Sequence, residues 1–82
     1  MIHNYGVTVY TKPNCPHCKI VKAKFKKYNV PYQEINILQD ADALELIKAH
    51  GFTAAPVVTD GFESFSGTDV KGIYRFREKH GA

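Results

Sequence analysis

Two cysteines, Cys15 and Cys18, are separated by a proline and a histidine, and the 82-residue chain contains no others. A disulfide between them would close a very short loop, so it would restrict the unfolded chain very little. A small secreted protein stabilised by disulfides would carry several cysteines spread along its length. The pair is therefore interpreted as chemical, and the chemistry that two adjacent thiols support is thiol–disulfide exchange.

The first cysteine is predicted to stand at the start of a helix. Pro16 suits the first helical position, where its missing N–H costs nothing, and apolar residues then recur at helical spacing at Cys18, Val21, Phe25 and Tyr28. At a helix amino terminus, unpaired N–H groups and the helix dipole favour a thiolate. A thiol pKa lowered from about 8.5 to about 6 would leave roughly nine sites in ten ionised near neutral pH.

The two cysteines are predicted to have different roles. Cys15 attacks a substrate disulfide and forms a mixed disulfide, which Cys18 then resolves by attacking Cys15. Because Cys18 belongs to the apolar stripe of the helix, we expect Cys15 to be the exposed nucleophile and Cys18 the buried resolving thiol. His17 and Lys19 can add positive charge beside them.

Metal binding is the alternative use of a Cys-x-x-Cys segment. A structural zinc ion needs four ligands at paired spacing, and the remaining candidates His3, His17, His50 and His80 are scattered along the chain. A copper-chaperone-like domain would follow a βαββαβ order, which differs from the order predicted here. Two cysteines that serve only packing are a third reading. No metal ligand is predicted, and a metal-binding module stays the remote alternative.

The remaining pattern predicts an α/β domain with element order β-α-β-α-β-β-α. Strands rich in β-branched and aromatic residues are predicted at 6–11, 32–37, 56–59 and 62–65, and helices over 15–29, from about 42 to 50 and from about 68 onward. The alternating first half implies a parallel strand pair joined by a right-handed crossover, and the final strands form a hairpin. A mixed four-stranded sheet flanked by three helices follows.

Three local details complete this prediction. Asp42 and Glu45 resemble a capping box at the start of the second helix, with Leu44 and Ile47 facing inward. A tight two-residue turn at Asp60-Gly61 is expected to join the hairpin strands. The inner stripe of the last helix is predicted to consist of Val70, Ile73 and Phe76.

Pro56 is the second candidate functional residue, because it follows Ala54-Ala55 at the head of a predicted strand. It is either an ordinary strand-start proline or a cis-proline placed against the cysteine pair. A cis peptide bond would present the backbone of Ala55 to an extended peptide or thiol, giving hydrogen bonds that do not depend on the substrate sequence.

Composition limits the remaining classes. The chain is predicted to form one domain over residues 1–82, and its formal charge of +3 is too small to argue for nucleic acid. It has no membrane-length apolar stretch, and residues 1–6 lack the pattern of a secretory signal, so a cytoplasmic protein is expected.

Five lysines in the first helix form either a solvated face or a docking surface for an acidic partner or anionic small molecules: Lys19, Lys22, Lys24, Lys26 and Lys27.

These segments together resemble the glutaredoxin family of the thioredoxin fold. The resemblance rests on residues 7–18, which end in Cys-Pro-His-Cys, on Ala-Ala-Pro-Val-Val at 54–58, and on Phe-Ser-Gly at 65–67. It is strongest to the NrdH-redoxin type, which takes electrons from thioredoxin reductase and passes them to ribonucleotide reductase. The resemblance implies a dithiol carrier, expected to be a monomer, that reduces this or other protein disulfides without a metal or prosthetic group.

The same resemblance also supports a glutathione-dependent glutaredoxin as the alternative. Gly67-Thr68-Asp69 is similar to the glutathione-binding Gly-x-Asp of ordinary glutaredoxins and stands where NrdH-redoxins usually have Gly-Phe-Arg. It implies that the Thr68 backbone and Asp69 hold the γ-glutamyl end of glutathione, with Lys12 at the glycyl carboxylate. However, the segment before Pro56 lacks the Arg or Gln that glutaredoxins often use there. The implied substrate or glutathione contacts are Lys12, Pro16, His17, Ala55, Pro56, Gly67, Thr68 and Asp69.

Overall fold

The computed structural model describes residues 6–52 and 54–81. The expectations for the amino-terminal segment and for His3 therefore lie outside the described residues, and one domain over residues 1–82 stays a prediction. The elements follow the predicted order: β1 (Thr8–Thr11), α1 (Pro16–Lys27), β2 (Gln33–Asn36), α2 (Ala41–Ala49), β3 (Val57–Thr59), β4 (Ser64–Ser66) and α3 (Val70–His80).

The four strands form one mixed sheet in the order β2-β1-β3-β4. β1 runs parallel to β2, because α1 returns the chain to the same end before β2 starts. β3 is antiparallel to both β1 and β4, with Val58 opposite Val9 on one side and Phe65 on the other. The predicted mixed four-stranded sheet with three helices is confirmed.

The sheet has a separate core on each face, as the two-residue period of the strands requires. Val9 and Val58 point to one face, where they pack with Val21 and Phe25 of α1 and with Phe76 of α3. The next residues along the strands point to the opposite face. There the buried set contains α2 residues and both cysteines: Tyr10, Cys15, Cys18, Ile37, Ala43, Ile47, Ala55 and Val57. The cysteine pair is thus anchored in the α2-side core.

The start of α2 differs from the prediction. Asp40 is the N-cap residue, and its Oδ1 accepts a hydrogen bond from the Ala43 N–H at 3.0 Å. The capping box expected at Asp42 and Glu45 is therefore wrong, because the helix begins earlier than the prediction placed it. The aspartate that caps the helix is the one in extended conformation before the first turn.

The hairpin loop is longer than predicted. Thr59 pairs with Ser64, so the loop comprises residues 60–63 instead of a two-residue Asp-Gly turn. Asp60 Oδ1 accepts the N–H groups of Phe62 and Glu63, each at 2.9 Å, which stabilises the wider loop. Phe62, expected within the strand, lies in the loop and is 92% exposed.

One of the predicted inward side chains lies at the surface. Val70 is 57% exposed because it begins α3, whereas Leu44 is partly buried and packs against the α2-side core, as predicted. Two small residues, Ala43 and Gly72, are also buried on these helices. A Cβ atom at Gly72 would lie 2.6 Å from Phe65 Cδ2, so this position admits no side chain without movement of the ring. The other inward positions are confirmed as buried: Ile47, Ile73 and Phe76.

Ion pairs join the hairpin loop to the end of α3. The Asp60 carboxylate is 1% exposed and lies 2.6 Å from Lys79 Nζ and 3.0 Å from His80 Nε2. Glu63 pairs with Arg75 at 2.6 Å and with Lys79 at 3.1 Å. Burial alone would raise the pKa of Asp60, but hydrogen bonds from Lys79, His80 and two backbone N–H groups outweigh it and hold that pKa well below its usual range.

Candidate functional site

Cys15 and Cys18 form a disulfide at the amino terminus of α1, with their Cα atoms 5.2 Å apart. Cys15 is the N-cap residue in extended conformation (φ −112°), and Pro16 occupies the first helical turn. The Cys18 N–H donates a hydrogen bond to Cys15 Sγ at 3.2 Å. The predicted placement at the helix start is confirmed, and a backbone N–H group points at the sulfur that would carry negative charge after reduction.

The two sulfurs differ less in exposure than predicted. Cys18 is 1% exposed and Cys15 is 5% exposed, so both are buried in the disulfide form. The expectation of an exposed Cys15 is wrong for this state, because Ala55 lies against it: the Ala55 carbonyl oxygen is 3.7 Å from Cys15 Sγ. The expected order of exposure between the two cysteines is confirmed.

A loop from the other half of the chain completes the site. The Ala55–Pro56 peptide bond is cis, as the functional interpretation of Pro56 predicted. Gly67 donates its N–H to the Pro56 carbonyl oxygen at 3.0 Å, and its φ of +70° is a conformation that favours glycine. The segments around Cys15, Pro56 and Gly67 therefore meet in space although they are distant in sequence.

A side-chain contact that the sequence did not reveal spans the site. His17 Nδ1 lies 2.9 Å from Thr68 Oγ1, a hydrogen bond between residues 51 positions apart. The sequence placed Thr68 in the site through its backbone, whereas here its hydroxyl binds the histidine of the cysteine segment. No local sequence pattern indicates such a pair, because the contact depends on how the loop between β4 and α3 packs against the start of α1.

The remaining predicted contacts lie around this centre. Lys12 lines a cavity of about 180 Å³ that also borders both cysteines and Lys19. Asp69 is the N-cap residue of α3, and its side chain makes no capping hydrogen bond. The structure thus places Lys12 beside the cysteines, and it gives Asp69 no hydrogen bond to another predicted site residue.

The surroundings of the cysteines are positively charged. The first turn of α1 has no acidic residue. The cavity beside the cysteines is bordered by three lysines and one carboxylate, Lys12, Lys19, Lys22 and Glu34, so cations outnumber anions there. Within residues 6–52 and 54–81, no three His, Cys, Asp or Glu side chains cluster so that they could hold a metal ion. In the same part of the chain, no helix has the length and apolar character that crossing a bilayer requires.

A larger cavity of about 420 Å³ lies between α2 and the hairpin loop, bordered by Ile47, Phe52, Val57 and Phe62 among others. None of the predicted site residues borders it. We therefore place the chemistry at the smaller cavity, where the reactive sulfurs are, and assign the larger one no part in it.

Comparisons with known proteins agree with this geometry. The sequence model of the Glutaredoxin family matches residues 7–62. The glutaredoxin-like protein NrdH of Lactococcus lactis is 43% identical over 61 residues, which cover 74% of this chain and 85% of the relative. The corresponding protein of Escherichia coli is 33% identical over 61 residues, covering 74% and 75%. In structure, the Escherichia coli NrdH-redoxin, a glutaredoxin-like protein with a thioredoxin-like activity profile, matches with a TM-score of 0.81 and 32% identity, covering 84% of this chain and 91% of that one.

Proposed function

Since the chain belongs to the glutaredoxin family of thiol–disulfide oxidoreductases, we propose that it is an electron carrier of the NrdH-redoxin type with Cys15 as nucleophile and Cys18 as resolving thiol. The observation that carries the proposal is the hydrogen bond from the Cys18 N–H to Cys15 Sγ at the start of α1. It directs a backbone donor at one sulfur of the pair, and that sulfur is the one better able to leave or attack as a thiolate.

The reaction proceeds in two exchanges. The reduced Cys15 thiolate attacks one sulfur of a substrate disulfide, and the other substrate sulfur leaves as a thiolate that takes up a proton. Cys18, after losing its proton, attacks Cys15 Sγ, forms the Cys15–Cys18 disulfide and releases the second substrate thiolate. Two electrons pass to the substrate, and two cysteines are oxidised. The exchange requires no metal or prosthetic group.

The segment opposite the sulfurs supports substrate positioning. Ala55 lies against Cys15, with its carbonyl oxygen 3.7 Å from the sulfur, and Pro56 follows it through a cis peptide bond. A backbone at this position can bind an extended substrate chain without regard to its sequence. We propose that Ala55 and Pro56 position the substrate, with Pro16, His17 and Gly67 forming the rest of the contact surface.

For the partners, we propose thioredoxin reductase as the electron donor and ribonucleotide reductase or other protein disulfides as acceptors, in the cytoplasm. The thioredoxin-like activity profile of the Escherichia coli NrdH-redoxin, at 32% identity, supports this assignment. A protein that serves as a reductant of other proteins needs a reactive dithiol, and the Cys15–Cys18 pair at the start of α1 supplies it.

Glutathione is the second candidate reductant, because Gly67, Thr68 and Asp69 stand close to the cysteine segment. In this structure the Thr68 hydroxyl binds His17 at 2.9 Å. The carboxylate of Asp69 makes no capping hydrogen bond, so it is available to a ligand amine. These observations support a contact to the γ-glutamyl end, and the position of Lys12 in the cavity beside Cys15 supports a contact to the opposite end.

Coupled oxidation of NADPH in the presence of a protein disulfide distinguishes the two reductants. One reaction contains thioredoxin reductase, and the other contains glutathione with glutathione reductase. We expect turnover with thioredoxin reductase that exceeds turnover with glutathione. Turnover with glutathione alone would overturn the proposed donor and favour the glutaredoxin assignment, in which case Asp69→Ala should raise the glutathione concentration needed for half-maximal rate.

The cysteine roles are tested in the same assay. Cys15→Ser should lower turnover by about a thousandfold or more, because no nucleophile remains. Cys18→Ser should accumulate a mixed disulfide between Cys15 and the substrate, visible as an adduct by mass spectrometry. An adduct that forms in Cys15→Ser instead would reverse the two roles.

A further inference from the structure

The lysines of α1 form two groups on opposite sides of the helix. Lys19, Lys22 and Lys26 follow spacings of three and four, so they share one flank, and we call these three the lysine row. Lys24 and Lys27 lie on the other side. The row faces β2, because Lys22 Nζ lies 2.7 Å from Glu34 Oε2 on that edge strand. Between Lys12 and Gln33 the sequence contains no acidic residue.

The row begins at the redox centre. Lys19 and Lys22 border the cavity of about 180 Å³ that also contacts Cys15 and Cys18. Glu34 borders it too, but its charge is offset by Lys22 at 2.7 Å. From Lys19 to Lys26 the helix advances seven residues, about 10 Å along its axis. An extended peptide of about three residues covers the same distance. A chain whose disulfide reaches the cysteines can therefore lie along the row with a few adjoining residues.

The fold neutralises little of this charge. Lys22 has Glu34 as a partner, whereas across the described ranges no carboxylate lies within ion-pair distance of Lys19 or Lys26. Like charges three and four residues apart on a helix repel each other. The unpaired charges thus do not stabilise the fold, and a partner that supplies carboxylates would relieve the repulsion.

We propose that the lysine row is a docking surface for an acidic segment flanking the disulfide of the protein substrate. This inference rests on the proposed function and adds the chemistry of its substrate class. The row is elongated and adjoins the sulfurs, which fits a peptide bound through the reacting disulfide better than a compact small anion. The formal charge of +3 for the whole chain is low for a nucleic-acid surface.

The test compares two double variants with the same change in net charge. Lys19→Glu with Lys26→Glu reverses two charges of the lysine row and is called the row variant. Lys24→Glu with Lys27→Glu reverses two charges on the opposite side of α1 and is the matched control variant. The substrates are two synthetic disulfide peptides, one with three aspartates beside the disulfide and one with three asparagines. All reactions use dithiothreitol as the electron source, so that the result does not depend on the identity of the reductase.

For the aspartate peptide, we expect the row variant to raise KM about tenfold, and the control variant to change KM less than twofold. Because Lys19→Glu also places a negative charge beside the Cys15 thiolate, the row variant should show a fall in kcat that is the same for both peptides. The tenfold rise in KM should be absent with the asparagine peptide. Raising ionic strength should remove the preference of the unmodified protein for the aspartate peptide. Equal losses in both variants would indicate a general charge effect and would overturn the proposal, as would the absence of any preference.

A binding measurement separates this proposal from the proposed function. The Cys15→Ser, Cys18→Ser double variant has no reactive thiol, so its affinity for a reduced, fluorescent aspartate peptide reports docking alone. Affinity that falls when Lys19→Glu and Lys26→Glu are added, but not when Lys24→Glu and Lys27→Glu are added, is row-dependent binding. It supports the docking surface even if the unmodified protein fails to reduce disulfides. Tighter row-dependent binding to single-stranded DNA or to vesicles of anionic lipid at 0.15 M salt than to the peptide would overturn it.

Discussion

Helices α1 and α3 pack on the same face of the sheet, and both carry mainly basic side chains, yet their charges have different surroundings. On α3, Arg75 and Lys79 lie within 3.1 Å of carboxylates of the hairpin loop. The five lysines of α1 all lie in the described residues, and among these five only Lys22 has a carboxylate partner, Glu34. Arg75 and Lys79 of α3 therefore join two parts of the fold, whereas most of the α1 lysines are exposed to solvent.

This difference shows that the number of charges on a helix does not indicate what they do. A cation close to a buried carboxylate has a fixed geometry and contributes to folding, and it is not available to a partner. A cation on an exposed flank contributes little to stability but remains available for binding. The three predictions below test that contrast, in order of decreasing effect.

Asp60→Ala is expected to have the largest effect on stability. The substitution removes a nearly fully buried carboxylate that accepts hydrogen bonds from Lys79, His80 and two backbone N–H groups. We expect the free energy of unfolding to fall by about 2 to 3 kcal/mol, measured by urea denaturation. Asp42→Ala, at an exposed position on α2, is the control and should cost less than about 0.5 kcal/mol. Equal losses in the two variants would contradict the structural role of Asp60.

The contribution of Asp60 should also disappear in acid. Because the folded pKa is depressed below an unfolded value of about 3.9, the stabilisation is complete above the unfolded pKa and is lost progressively as pH falls below it. We expect the stability difference between the unmodified protein and Asp60→Asn to shrink between about pH 5 and pH 3. A difference that stays constant over this range would show that the carboxylate charge does not matter.

Neutralising the α1 lysines should have the smallest effect. Lys19→Gln and Lys26→Gln are each expected to change the free energy of unfolding by less than about 0.5 kcal/mol. Lys79→Gln, which removes a partner of the buried Asp60 carboxylate, should lower the urea midpoint measurably more. If the α1 variants were as destabilising as Lys79→Gln, the distinction between the two helices would not hold.

Features encoded by neighbouring residues were predictable from the sequence. The β-α-β-α-β-β-α order follows from hydrophobic period, and the start of α1 from a proline directly after Cys15. The cis Ala55–Pro56 bond was predictable as one of two interpretations, because proline at a strand start is unusual in a central strand. Each of these depends on a few adjacent residues whose conformational preferences agree.

Features that depend on packing between distant segments were not predictable. Asp60 was assigned to a turn, and only the approach of Lys79 and His80 turns it into a buried anchor. The hydrogen bond between His17 and Thr68 requires the loop between β4 and α3 to reach the cysteine segment. Gly72 is needed because Phe65 of β4 lies where its side chain would be. Charge and volume at such contacts are set by the partner element, which local pattern does not identify.

The two residues between the cysteines, Pro16 and His17, are both exposed, whereas each cysteine is buried. The two residues between the cysteines are therefore separate from those that form the core. Because His17 is exposed, a substitution at this position changes the electrostatics at the Cys15 thiolate without leaving a cavity in the core. Such a substitution is therefore expected to affect the redox chemistry more than the stability of the fold. The reduction potential of the Cys15–Cys18 pair can consequently change during evolution, or be adjusted by design, while the fold stays the same.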